Sequence, residues 1–126
     1  MNLLVVENDV AALSQTVELI KSWGYCAEKS ETGRATLSKL KEKAFDLVLL
    51  DMSLPDMKPQ ALITRLKEIQ PDIGIITLTG ANTKELENEI RTLGIIYYMS
   101  KPINDRELKE ILDHSKRKKS EKLKSG

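Results

Sequence analysis

Four short apolar runs in this sequence end at polar residues that could take part in phosphoryl transfer. LLVV is followed by Glu7, Asn8 and Asp9, LVLL by Asp51, IITL by Thr79, and YYM by Ser100 and Lys101. A carboxylate such as Asp51 can accept a phosphoryl group as an acyl phosphate, and it needs no general base because it is already ionised. Carboxylate, amide and carbonyl oxygens suit Mg²⁺, while lysine and threonine bind phosphate oxygens. If the run ends meet in the fold, they predict metal-assisted phosphoryl transfer to Asp51.

The segments between these residues alternate between strand and helix patterns. Strands are predicted for the apolar runs at 3–6, 47–50 and 73–78. Two shorter strands are predicted around 25–29 and over the segment IIYYM at 95–99. Helical spacing predicts a first helix that carries Val10, Leu13, Val17 and Ile20 and ends at Gly24, and a second that begins at about Thr32. A third helix is predicted from Pro59 through Ile69. A fourth passes through Leu86, Ile90 and Leu93 to Gly94, and a fifth begins at Asn104 or Asp105. Runs that are apolar on every residue are typical of parallel strands covered on both faces. We therefore predict an α/β fold, an open (βα)5 sandwich around a parallel sheet.

The predicted sheet would bring the polar run ends together. Ligands of such sheets bind at the carboxyl ends of the strands, where the strand order reverses. All strands of a parallel sheet end at the same edge, so Glu7, Asp51, Thr79 and Lys101 would converge there. Clustered carboxylates repel one another, and a divalent cation would relieve that repulsion. A strand-to-helix cap remains an alternative role for Asn8 or Asp9, and either residue could serve both purposes.

Length and composition indicate one domain with a basic tail. The 126 residues suffice for a single compact unit, which we place at 1–116, with 117–126 as a tail or linker. The last 13 residues carry six Lys/Arg and one Glu, which leaves the first 113 with a net charge of −4. The tail lacks apolar periodicity and is interpreted as a frayed helix end or linker. No run is long enough to cross a membrane and no signal peptide is evident. A single cysteine, Cys26, fits a reducing cytoplasm, and we expect it to be a semi-buried strand residue.

Four motifs in order resemble those of response-regulator receiver domains over about residues 1–115. They are VVEND, LVLLDMSLPDM, ITLTG and YYMSKP. The resemblance implies a flavodoxin-like fold with strand order 2-1-3-4-5. It also implies that a histidine kinase or phosphotransfer protein phosphorylates Asp51 in a reaction that needs Mg²⁺ (or Mn²⁺). The metal ligands would be Glu7, Asn8, Asp51 and the backbone carbonyl of Ser53.

The resemblance also implies a conformational switch. Thr79 and Lys101 would contact the phosphoryl group, Tyr98 would be the switch aromatic, and the Lys101–Pro102 peptide bond would be cis. The switch would alter the face formed by the fourth helix, fifth strand and fifth helix, where a downstream protein or effector domain, or a second copy in a homodimer, would bind. Nucleic acid would be contacted only through an effector domain. Such a chain is not an enzyme beyond its own phosphorylation and dephosphorylation.

Three positions depart from the family pattern. Asn8 stands where a second carboxylate is usual, so we expect weaker Mg²⁺ binding, with Asp9 as a further candidate ligand through water. Pro59 stands where glycine is usual and should stiffen the start of the third helix. Gly80 follows Thr79 where alanine is common, which should leave an acyl phosphate more open to water.

Three other functions compete with this interpretation. A phosphatase of the haloacid-dehalogenase type needs a second aspartate two residues after the first, and here that residue is Ser53. A flavodoxin-like cofactor protein needs a phosphate loop after the first strand, but the acids of ENDVAAL would repel a phosphate. The remaining alternative is a degenerate receiver that binds proteins without being phosphorylated, and Asn8 is the residue that favours it.

Overall fold

The structure is a computed structural model that describes residues 1–80 and 83–125. Five strands alternate with five helices. Their bounds are β1 Asn2–Val6, α1 Val10–Ser22, β2 Cys26–Ser30, α2 Gly33–Glu42, β3 Leu47–Asp51, α3 Pro59–Ile69, β4 Gly74–Thr79, α4 Lys84–Arg91, β5 Tyr97–Ser100 and α5 Asp105–Ser125. The predicted alternation is confirmed, with most boundaries within one or two residues of those expected.

The strands form one parallel sheet in the order β2-β1-β3-β4-β5. The order and the fold class are those predicted. Leu3 of β1 pairs with Leu47 of β3, and Asp51 at the end of β3 pairs with Leu78 of β4. Because all strands run the same way, the loops after β1, β3, β4 and β5 leave the sheet at one edge. The candidate residues all lie in or next to these loops.

Two apolar cores cover the two faces of the sheet, as the continuously apolar runs require. One face carries Leu4, Val48, Leu50 and Ile75 and packs against the buried residues of α2, α3 and α4. The other carries Leu3, Val5, Leu49 and Ile76 and packs against α1 and α5. Alternate residues of β1 and β3 therefore enter opposite cores, which fixes their register and the place where each strand ends.

Side-chain caps set where several helices begin. The Asp9 carboxylate accepts a hydrogen bond from the Ala12 N–H at the start of α1. Thr32 and Thr83 cap α2 and α4 in the same way. Proline at position 59 occupies the first turn of α3, where its missing N–H costs no intrahelical bond. Of the two caps predicted for α1, Asp9 rather than Asn8 makes the hydrogen bond.

One edge strand of the sheet differs from the sequence expectation. Cys26 is exposed, so the prediction of a semi-buried strand residue is wrong. The reason is its place at the start of β2, an edge strand in which only Ala27 and Ser30 are buried. At the opposite edge, Tyr97 of β5 is exposed while Tyr98 is buried.

The basic segment continues α5 as helix through Ser125. Two lysines attach it to the body: Lys119 forms an ion pair with Asp46, and the ammonium of Lys116 lies 5.6 Å from the ring centre of Tyr25. The helix thus runs on past residue 116 along the amino-terminal edge of the sheet. None of the helices in the described part of the chain is both long and apolar enough to span a membrane.

Candidate functional site

Three charged side chains meet at the carboxyl edge of the sheet. Asp51, the last residue of β3, is 3% exposed, and Glu7, directly after β1, is 8% exposed. The Nζ atom of Lys101, which lies just after β5, is 3.0 Å from Oδ2 of Asp51 and 3.5 Å from Oε2 of Glu7. The Lys101 backbone is fixed by its N–H, which donates to the carbonyl of Thr79 at 2.7 Å. The predicted convergence of these three residues is confirmed.

Burial and hydrogen bonding act in opposite directions on the two carboxyl groups. Burial raises the pKa of Glu7, and its hydrogen bond to Asp51 raises it further. Burial also favours neutral Asp51, but hydrogen bonds from Glu7, from the Ser53 N–H and from Lys101 together hold the pKa of Asp51 below its usual value. The hydrogen bonds and the charge of Lys101 thus favour the ionised form of Asp51. An ionised Asp51 is the form that can attack phosphorus.

Lys101 supplies the positive charge of the cluster. Burial of its side chain would lower its pKa, but the hydrogen bond and charge of Asp51, joined by those of Glu7, raise the pKa of Lys101 above its ordinary value. The ammonium therefore stays charged at neutral pH. It can bind an oxygen of any phosphoryl group that reaches Asp51.

Each of the other predicted metal ligands has a hydrogen bond in the structure. The Ser53 N–H donates to Oδ1 of Asp51 at 3.0 Å, and the Asp9 N–H donates to Oε1 of Glu7 at 3.2 Å. Asn8 is exposed, and its amide nitrogen donates to the carbonyl of Glu31 at 3.3 Å. The side chain of Asp9 is engaged as the cap of α1.

The available ligand atoms suit a hard divalent cation, although they carry little negative charge. Two neighbouring buried carboxyl groups repel one another once both are ionised, and a cation would relieve that repulsion. Amide and carbonyl oxygens could complete its coordination. Across residues 1–80 and 83–125, no three or more His, Cys, Asp or Glu side chains are grouped to hold a metal ion. The amide of Asn8 adds no negative charge to the two carboxyl groups.

Thr79 and Tyr98 connect the site to β5. Thr79 ends β4 and is 4% exposed, and Tyr98 is 7% exposed. Their hydroxyl groups share a hydrogen bond, while burial of the ring raises the pKa of Tyr98. The guanidinium of Arg91, the last residue of α4, lies 5.6 Å from the centre of the Tyr98 ring. The Lys101–Pro102 peptide bond is cis, which is the geometry the resemblance implies.

A cleft of about 740 Å³ gives access to the carboxyl edge. It lies between α1 and the segment after β5, and its walls include Glu7, Asp9, Lys101 and Pro102. The cleft therefore opens the cluster to solvent on the α1 side.

Residues 3–113 match the sequence model of a protein family, the response regulator receiver domain. The chain belongs to this family. The match includes every residue assigned to the site, and it stops where the basic part of α5 begins. Two-component signalling is therefore the setting in which this receiver domain acts.

Relatives and solved structures agree with the family. The receiver domain is 31% identical over 113 residues to the transcriptional regulatory protein ZraR of Salmonella typhimurium, covering 90% of this chain and 26% of that protein. A CheY-like receiver domain protein from Methanospirillum hungatei has a TM-score of 0.86 and 31% identity, with 99% and 98% of the two chains covered. The fold also matches a Burkholderia pseudomallei response regulator with a phosphorylated aspartic acid and a calcium ion, at a TM-score of 0.82 and 21% identity over 99% and 74% of the chains. The receiver domain thus spans about a quarter of ZraR.

One residue in the loop after Asp51 makes long-range hydrogen bonds that were not predicted from the sequence. Asp56 lies in the loop after β3, and its carboxylate accepts hydrogen bonds from the backbone of Gly33 and Arg34 in α2. Aspartate after proline is common in turns, so SLPDMKP gave a local signal for a turn. Its partners are 23 and 22 residues away in sequence. Only the packing of the loop against α2 identifies them.

Proposed function

We propose that this receiver domain is phosphorylated on Asp51 by a histidine kinase or phosphotransfer protein and acts as a conformational switch. The observation that carries the proposal is the ion pair between Asp51 and Lys101 at the end of a buried parallel strand. It combines an ionised nucleophile with a fixed cation at the atom where the phosphoryl group would be attached. Receiver domains bind divalent metals as a family, and we propose that Mg²⁺ (or Mn²⁺) is the metal here.

The proposed chemistry is the transfer of a phosphoryl group from a nitrogen or oxygen atom of the donor to one carboxylate. An Oδ atom of Asp51 forms a bond to phosphorus as the bond from phosphorus to the donor breaks, and the donor leaves with that electron pair. Lys101 and the hydroxyl of Thr79 would hold phosphoryl oxygens as charge moves onto them. A divalent cation bound by Glu7, Asn8, Asp51 and the Ser53 carbonyl would offset further negative charge. Hydrolysis of the acyl phosphate by water would return Asp51.

The switch would follow from competition for Thr79. Its hydroxyl now shares a hydrogen bond with Tyr98. A phosphoryl group that recruits Thr79 would alter that bond and shift the population of Tyr98 positions between α4 and β5. We propose that the face formed by α4, β5 and α5 transmits the change to a downstream protein or to an attached effector domain.

The place of the domain in a larger protein is also a proposal. We propose that residues 1–116 form the receiver and that 117–126, helical through Ser125, connect it to an effector domain. The relatives ZraR and CtrA are transcriptional regulators of which this chain spans 26% and 47%. Nucleic acid would then be bound by the effector domain, and a homodimer would bring two effector domains together. The proposal places the domain in the cytoplasm with its phosphodonor.

Phosphorylation by acetyl phosphate in the presence of Mg²⁺ tests the proposal directly. Intact-mass measurement should show one added phosphoryl group on the wild type and none on Asp51→Asn, which keeps the side-chain shape. Chelation of the metal should abolish the addition. An unmodified wild type at millimolar-scale Mg²⁺ would instead favour the degenerate receiver, a protein-binding module that works without phosphorylation.

A further inference from the structure

The loop between β3 and α3, residues 52–58, is held from the side by the start of α2. Oδ1 of Asp56 accepts a hydrogen bond from the Gly33 N–H at 2.9 Å, and Oδ2 accepts one from the Arg34 N–H at 3.0 Å. The N–H groups of a first helical turn have no partners within the helix, and they favour negative charge. These two bonds hold the pKa of Asp56 below its usual value even though the side chain is exposed.

A second contact brings the same loop unusually close to α2. A Cβ atom at Gly33 would lie 2.7 Å from Sδ and 3.0 Å from Cγ of Met57. A Cβ atom at position 33 would require the Met57 side chain to shift, so the close packing in this structure uses the space that glycine leaves. Met57 also packs against the core between the sheet, α2 and α3. Asp56 and Met57 therefore fix the outer half of the loop against one helix end.

The inner half of the loop is fixed at the phosphoacceptor. The Met52 N–H donates to the Leu78 carbonyl at 3.0 Å, and the Ser53 N–H donates to Oδ1 of Asp51 at 3.0 Å. Pro55 restricts the backbone between the two halves. The segment from Ser53 to Asp56 is thus held at both ends by hydrogen bonds.

We propose that Asp56 is a positioning residue that ties the phosphoacceptor loop to α2 and so holds the Ser53 carbonyl beside Asp51 for the metal. This inference rests on the proposed function of Asp51 and on its divalent cation. The helix does not depend on Asp56 for its cap, because Thr32 Oγ1 already accepts a hydrogen bond from the Ala35 N–H at 3.0 Å. Groups that orient metal ligands commonly change metal affinity when they are removed.

The test compares Asp56→Ala with Thr32→Ala, a matched control that removes a cap from the same end of α2 without releasing the loop. Mg²⁺ affinity is measured by calorimetry on the unphosphorylated chain, and thermal unfolding is followed alongside. We expect Asp56→Ala to weaken Mg²⁺ binding about tenfold and Thr32→Ala to change it less than about twofold, although both lower the unfolding midpoint. Phosphorylation by acetyl phosphate should require correspondingly more Mg²⁺ in Asp56→Ala but reach a similar rate at saturation.

Two further variants keep the proposal open to refutation if alanine at position 56 prevents folding. Asp56→Asn retains one acceptor oxygen and should show an intermediate loss of affinity. Gly33→Ala requires Met57 to move, so it should weaken Mg²⁺ binding while Thr32→Ala, at the same helix end, does not.

The outcomes separate this inference from the proposed function. A wild type that binds Mg²⁺ while Asp56→Ala and Gly33→Ala bind it as tightly as Thr32→Ala overturns the positioning role alone. A wild type that neither binds Mg²⁺ nor accepts a phosphoryl group overturns the proposed function, and the positioning role with it.

Discussion

Lys101 and Asp51 are in contact although their strands are not neighbours. β4 lies between β3 and β5, yet Nζ of Lys101 reaches over the end of β4 to within 3.0 Å of Oδ2 of Asp51. The same atom is 3.5 Å from Glu7, which comes directly after β1 on the far side of β3. One side chain therefore links the ends of three strands. Its removal would leave two buried carboxyl groups without their cation.

Replacement of Lys101 by alanine should lower the rate of phosphorylation of Asp51. Loss of the ammonium removes a positive charge from the place where negative charge develops, an effect of roughly 10²–10³ in rate for comparable donors. The pKa of Asp51 should also rise, because one of the interactions that lowers it is lost. The measurement is the rate of acetyl phosphate labelling at saturating Mg²⁺. Lys109→Ala, on the exposed side of α5, is the control, and equal rates in both variants would contradict the assigned role.

Replacement of Asn8 by aspartate should strengthen Mg²⁺ binding. It adds a carboxylate beside Glu7 and Asp51, and a gain of roughly tenfold is expected for a partly exposed position near a divalent ion. The cost is the hydrogen bond from the Asn8 amide to the Glu31 carbonyl. Calorimetric titration of the unphosphorylated chain measures the change. Asn88→Asp on α4 makes the same change in net charge away from the site, so a gain there of similar size would point to a general charge effect instead.

The sequence was sufficient for the parts of the fold and site that depend on local pattern. Apolar runs located β1, β3 and β4, and their ends located Glu7, Asp51 and Thr79. It was insufficient where the result depends on which groups pack together. Cys26 is exposed because β2 is an edge strand, a fact that depends on strand order rather than on the residue itself.

Interactions between segments far apart in sequence were the other part that pattern could not supply. The hydrogen bond between the Glu7 and Asp51 side chains depends on their geometry at the edge of the sheet. The attachment of Asp56 to α2 depends on how a loop lies against a helix more than 20 residues earlier. No pattern of residue spacing predicts either interaction, because each is determined by tertiary packing.

Replacement of Gly80 by alanine should lengthen the lifetime of the phosphorylated state. A Cβ atom at this position would lie 3.5 Å from Cδ of Lys101, an ordinary van der Waals distance, so alanine fits without strain. The added methyl group would reduce the access of water to the acyl phosphate, and a severalfold slower loss is expected. Phosphoryl loss is followed by intact mass after the phosphodonor is removed. A wild-type lifetime equal to or longer than that of the variant would contradict the role given to Gly80.

Acid should weaken the fold partly through Asp46, at the opposite edge of the sheet. Partial burial favours the neutral form of Asp46, but hydrogen bonds from Lys119 and the Asn2 N–H outweigh it and hold the pKa of Asp46 below its usual value. A carboxyl whose folded-state pKa is depressed stabilises the fold above its unfolded-state pKa of about 3.9, and that contribution is lost as the pH falls through the folded-state value.

Asp46→Asn should therefore cost stability at neutral pH and very little in acid. A loss of roughly 1.5 kcal/mol at pH 7 is expected for hydrogen bonds to a charged group that is mostly covered. Urea unfolding at pH 7 and below pH 4 measures the difference, with Asp72→Asn on an exposed turn as the control. Lys119→Ala should reproduce part of the effect, because the Asn2 N–H still holds the carboxylate. An Asp46→Asn cost that stayed constant across this pH range would show that packing, rather than the charge of Asp46, joins the extended α5 to the sheet.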